Sequence, residues 1–144
     1  MTSTGMTGAG ALPPIVICAA DYARLTELAA SVDARLAHVG EYLERELLRA
    51  EVVDDDAFDA RVVRVGSRVT YREGAGPART VQLVWPSAAD VDRNRISVLS
   101  AVGAALVGMA AGMSIDWPSP VGGTRQLTVV AIHGPAPEIP DNAA

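Results

Sequence analysis

Two periods of hydrophobic spacing divide the chain. In the first third apolar residues recur every three or four positions. Tyr22, Leu25, Leu28 or Ala29, and Val32 form one stripe, and Leu36, Val39, Leu43, Leu47 and Ala50 form a second. Each is the mark of an amphipathic helix. Asp21 is placed to cap the first helix, predicted over Tyr22 to about Val32, and a break near Ser31 to His38 separates the two. Glu41 and Arg45 are spaced for an i,i+4 pair on the second helix, and Glu46 and Arg49 for a weaker one. Neither short helix could bury its stripe alone, so the two should fold back on each other and lean on the rest of the protein.

From Val62 the period changes to two. Val63, Val65, Val69 and Tyr71 fall on one face and Arg64, Arg68 and Arg72 on the other, with Glu73 to Pro77 as the turn. Val81, Leu83 and Trp85 make the next strand, ended by Pro86. Ile96 and Val98 alternate again. Ser100 then stands where an N-cap belongs ahead of the apolar Ala101 to Val107, and Gly108 can end that helical turn in a left-handed conformation. Ser114 to Trp117 resumes the strand pattern, closed by Pro118 and Pro120, which cannot donate to a ladder. A last strand, Gln126 to Ile132, follows Gly122-Gly123. The aspartates 54–56 and Asp59 oppose the negative end of the second helix's dipole, so that helix should stop by about Val53. Strands in series with one short helix, preceded by a helical hairpin, give an α+β protein with an antiparallel sheet.

Composition narrows the function classes. The formal net charge is −5, which argues against a protein whose main work is gripping phosphate backbones. Aromatic residues are 4%, so stacking on bases is not favoured and the core must come from Val, Leu, Ile and Ala. The longest apolar run, Ala101 to Met113, falls short of the roughly twenty residues that cross a bilayer. The lone Cys18 excludes an internal disulfide, fits a reducing cytosol, and reads as a small buried hydrophobe. Residues 1–12 lack the basic start and apolar core of a signal peptide.

Candidate chemistry is sparse. The run Asp54 to Asp59 lacks the spacing and glycine of a calcium loop and reads as a solvated linker. His38 and His133 have no partner at metal-ligand spacing. No GxGxxG, P-loop or GxSxG pattern occurs. The stripe of Arg64, Arg68 and Arg72 could serve an acidic partner or a phosphate, but the wet face of an antiparallel sheet is polar in any case.

Four stretches together resemble one family: PPIVICAADYARL; LLRAEVV with VGSRVTY; VQLVWP; and RISVLSAVGAALVGM followed by IDWPSPVGG. They resemble the Rnk family, regulators of nucleoside diphosphate kinase and relatives of the Gre transcript-cleavage factors, over nearly all of Pro13 to Ile132. The resemblance implies a short N-terminal antiparallel helical hairpin (coiled coil) and an FKBP-like antiparallel β-sheet domain that docks on bacterial RNA polymerase. The expected layout is a disordered leader at 1–13, hairpin at 14–53, acidic linker at 54–61, Gre/Rnk C-terminal domain at 62–133 and disordered tail at 134–144.

In Gre factors paired acids at the tip of a long coiled coil help hold a catalytic metal. Here the tip carries only Asp33 and each helix is roughly 18 Å long. The implied function is therefore a cytoplasmic transcription elongation regulator, not an enzyme, that binds near the polymerase secondary channel and competes with Gre factors without stimulating cleavage. The implied docking turn is Ser100, Ala101, Val102 and Gly103, where the family usually has Ser-Pro. Val102, Leu106 and Val107 would offer apolar surface there, although Leu106 reads more readily as core. No cofactor, metal, catalytic residue, membrane or small-molecule substrate is implied, and association with DNA would be indirect, through polymerase. A cleavage-stimulating factor using Asp33 and Glu41, or a protein acting directly on nucleoside diphosphate kinase or another enzyme, are the alternatives.

Overall fold

The computed structural model describes residues 14–57, 59, 61–118 and 123–135. The expected leader, most of the expected tail, Pro120 and Gly122 lie outside them.

The helical hairpin is held between two strands. β1 (Val16–Cys18) pairs in parallel with β2 (Glu51–Val53), Val16 facing Glu51 and Cys18 facing Val53. Parallel neighbours need a long crossover, and α1 (Ala19–Ala30) with α2 (Ala37–Arg49) supplies it. The first helix thus starts and ends earlier than its stripe predicts. The second stops at Arg49, within the expected limit of about Val53. Ala50 turns extended at ψ 144°, and the Glu51 N–H donates to the Ile15 carbonyl at 2.9 Å. Two consecutive β-branched valines suit that ladder better than another helical turn.

The two helices pack closely through Gly40. A Cβ there would lie 2.7 Å from Val32 Cγ2 and 3.0 Å from the Ala29 carbonyl oxygen. Leu25, Ala29, Leu43 and Leu47 are buried along the shared face, each leucine worth about 1.5–3 kcal/mol of burial. Glu46, also buried, accepts from Arg49 at 2.7 and 3.1 Å. The other predicted pair does not form among the described residues: Arg45 instead lies over the Tyr42 ring, 5.9 Å from its centroid.

The five-stranded sheet has the order β5-β4-β3-β7-β6, where β3 is Ser67–Glu73, β4 Arg79–Val84, β5 Arg95–Ser97, β6 Ser114–Pro118 and β7 Thr124–Pro135. Three of its four pairings are antiparallel. The fourth, β4 with β5, is parallel, so the expectation of a uniformly antiparallel sheet is corrected. Two 3-10 turns, Pro86–Ala88 and Val91–Arg93, followed by Asn94 in the left-handed region, carry the chain back to start β5 in the direction of β4. β3 starts at Ser67, because Gly66 at φ 105° interrupts the alternation begun at Val62. β7 runs past the predicted Ile132 to Pro135, since the start of β3 offers it a partner: Ser67 pairs with Pro135.

Hairpin and sheet share one core, in which Val69, Tyr71, Leu83, Leu127 and Trp117 meet Leu25, Leu43 and Leu47. The seam is stitched by backbone as well. Gly108, at φ 87°, donates to the Val63 carbonyl at 2.8 Å and accepts from the Val16 N–H at 3.0 Å. Side chains close the seam: the Arg24 guanidinium lies 4.1 Å from the Trp85 ring centroid, and Arg64 reaches Asp21 at 3.4 Å. No helix among the described residues is long and apolar enough to cross a membrane.

Candidate functional site

The turn that leads into α3 (Ala101–Leu106) is built from small residues at fixed spacing. Ser97 ends β5, and its hydroxyl accepts from the Leu99 N–H at 2.9 Å, bending the chain away from the sheet. Ser100 is extended at φ −124°, ψ 163°, and its Oγ accepts from the Gly103 N–H at 3.0 Å, the N-cap contact its position predicts. The same hydroxyl donates to the Ser97 carbonyl at 2.7 Å. Gly103 has to lack a side chain, because a Cβ would collide with that carbonyl and lie 2.9 Å from Ser100 Oγ.

Of the four residues assigned to docking, Ser100, Ala101 and Val102 are half-buried and Gly103 is buried. Leu106 and Val107 are core, fully enclosed by the hairpin and sheet, so they offer no surface. What faces outward is a narrow strip of Ala101 and Val102 on a rigid turn. The hydroxyl relay through Ser97 was not read from the sequence; the Ser-x-x-Ser-x-x-Gly spacing of positions 97, 100 and 103 was the signal for it.

At the other candidate, Asp33 caps the single 3-10 turn Ala34–Leu36 between α1 and α2. Its Oδ1 accepts from Arg35 N–H at 3.0 Å and Leu36 N–H at 3.3 Å. That oxygen is engaged by the backbone, and Glu41 lies on α2 itself, so the two acids sit on different elements. The acidic stretch is likewise engaged. Asp55 Oδ1 accepts from Ala20 N–H at 3.3 Å, capping α1, whose own N-cap Cys18 makes no side-chain capping hydrogen bond. Arg61 holds the Asp59 carboxyl below its ordinary range through two side-chain hydrogen bonds. Among the described residues no three His, Cys, Asp or Glu side chains gather as metal ligands would. Burial pushes the Cys18 thiol up, so it stays protonated at neutral pH. His133 shares a hydrogen bond with Thr70 Oγ1 at 2.7 Å, far from any acid cluster.

Two family models match the chain, one over the sheet domain and one over the hairpin. The model described as the C-terminal part of the transcription elongation factors GreA/GreB matches residues 59–134, and the model of the Rnk N-terminus matches residues 13–53. The chain is 33% identical to the regulator of nucleoside diphosphate kinase of Escherichia coli over 96 residues, 66% of this chain and 71% of that protein. It is also 33% identical to the transcription elongation factor GreA of Azorhizobium caulinodans over 115 residues, 79% of this chain and 70% of that one. Among solved structures, a prokaryotic transcription elongation factor GreA/GreB from Nitrosomonas europaea superposes with a TM-score of 0.65 at 36% identity, covering 83% of this chain and 98% of that one.

Proposed function

We propose, starting from the fact that this chain belongs to the GreA/GreB transcription elongation factor family and carries an Rnk N-terminus, that it regulates elongation by occupying bacterial RNA polymerase near the secondary channel. Its relatives are regulators and transcription factors rather than enzymes in their own right. In this reading the sheet domain, FKBP-like as the resemblance implies, docks through the turn Ser100–Gly103. The cytoplasm is the compartment where it would act, and DNA would be approached only through polymerase.

One observation supports a role without cleavage activity. The hairpin is short, about 20 Å for the thirteen residues of α2, and its tip presents a single acid that already caps a backbone turn. Metal-assisted cleavage needs paired carboxylates delivered to the active centre. A short arm packed on its own sheet supports action by occupancy: the protein would exclude Gre-type factors without moving a bond. With Ala101 in place of the family proline the turn is still capped by Ser100, which supports docking through it.

The test is binding of labelled protein to polymerase core with an unlabelled Gre factor as competitor. Saturable binding that the competitor displaces, together with no shortening of RNA in a stalled elongation complex, is the expected result. No binding at micromolar polymerase overturns the docking reading and favours the second one, direct binding to nucleoside diphosphate kinase, which the name of the Escherichia coli relative suggests. RNA shortening that Asp33→Asn abolishes would restore a cleavage role.

A further inference from the structure

The solvent face of the sheet carries a row of polar residues that the docking turn does not use. Arg68 on β3 stands opposite Gln82 on β4, and Gln82 stands opposite Arg95 on β5. Residues in register share a face, and strands lie about 4.8 Å apart, so the two arginines flank Gln82 at about 10 Å from one another. With Thr80, Arg93 and Asn94 they line an open groove of about 470 Å³.

Charge is concentrated there against the trend of the molecule. The chain carries −5 overall, all twelve of its basic residues are arginine, and three of them meet in this groove. Arg93 is shared with Asp90 at 3.6 Å, and Asp90 also accepts from the Asp92 N–H at 3.1 Å. Arg68 and Arg95 form no ion pair among the described residues. The Gln82 amide donates to the Gly66 carbonyl at 3.4 Å, which fixes the side chain between them.

The chemistry selects the partner. A nucleic acid would find no aromatic ring in the groove on which to stack a base, and its phosphates would meet a net negative molecule. Guanidinium forks match carboxylates in bidentate fashion. In an extended chain, carboxylates two or three residues apart are about 7–10 Å apart, which spans the distance from Arg68 to Arg95. We infer that the β3–β4–β5 face is a docking groove for an acidic, extended segment of a partner protein, with Arg68 and Arg95 each receiving one carboxylate. The inference stands whether or not that partner is polymerase.

It is tested by titrating the full chain with a fluorescent peptide of six glutamates at about 0.1 M salt, where long-range attraction is screened. Saturable binding is expected, weakened about tenfold by Arg68→Gln and again by Arg95→Gln. Arg125→Gln, which removes the same charge from an exposed site beside β6, is expected to leave it unchanged. Unaltered thermal midpoints of the variants confirm that the fold is intact. Absence of saturation up to about 1 mM peptide, or equal weakening by Arg125→Gln, overturns the inference. So does tighter binding of a twelve-residue oligothymidylate that both groove variants abolish, which would make this a phosphate site. Binding that appears only after residues 136–144 are removed would assign the groove to Glu138 and Asp141 of the chain itself, and also overturns it.

Discussion

At the head of α3 the chain is shaped by what cannot fit: Gly103 is pressed against the Ser97 carbonyl, and the Ser100 hydroxyl is closed between donor and acceptor. At the hairpin tip it is shaped by what an exposed carboxylate can reach, with Asp33 Oδ1 gathering two N–H groups in open solvent. Both are capped turns of similar length. The first is steric, half-buried and continuous with the core; the second is electrostatic, wet and local. A rigid turn backed by core suits a surface that must present one shape to a partner. A solvated cap suits a connection that only has to join two helices.

The largest effect expected from breaking this contrast is Gly103→Ala. The new methyl would force the Ser97 carbonyl aside at a cost of about 2–3 kcal/mol, lowering the denaturation midpoint and weakening polymerase binding together. Alkaline titration probes the hairpin side. Burial, aided by the Glu46 charge, pushes the Tyr42 phenol up to about 12 from an ordinary 10. Its neutral form therefore contributes stability that is whole below pH 10 and is lost as pH rises towards 12. Burial pushes the Tyr71 phenol up as well, so absorbance of tyrosinate should show late-titrating tyrosines at two sites, of which Tyr42→Phe removes one.

Smaller effects separate the two caps. Ser100→Ala should cost about 1 kcal/mol, read as a lower urea midpoint. Ala101→Pro should raise stability by about 0.5 kcal/mol, because the first helical position needs no N–H and proline's fixed φ restricts the unfolded chain. Tighter polymerase binding by this variant would tie the turn to docking; an unchanged affinity would detach it. Asp33→Asn should be the mildest, a few tenths of a kcal/mol, since asparagine caps nearly as well. It should leave RNA length in stalled complexes untouched.

Local signals were legible where one residue decides the backbone. Ser100 as a cap and Gly108 in the left-handed region follow from their own chemistry and their neighbours, and both stand as the spacing predicts. The two periods located the hairpin and the sheet strands to within a few residues. Pairing partners were not legible. Val16 to Cys18 meets residues 51–53 only because the hairpin returns the chain there, and three-residue strands carry too little alternation to name their partners. The parallel entry of β5 depends on Asn94, whose left-handed turn is one of several conformations asparagine accepts. The arginine row was missed for the same reason. Arg68, Gln82 and Arg95 are far apart in sequence, and the stripe read at 64, 68 and 72 loses Arg64 to Asp21 at the seam.

The hydrogen bonds at Gly108 have a consequence for the order in which the molecule forms. Val16 and its acceptor are separated by about 90 residues, which at roughly 5–20 residues per second is several seconds of synthesis. The helical hairpin leaves the ribosome early, but the strands that bracket it cannot be anchored until Gly108 has been made. Until then its leucine stripes have no core to enter. The slow phase of folding should therefore be the closing of this long loop, with both halves locking at once rather than one after the other.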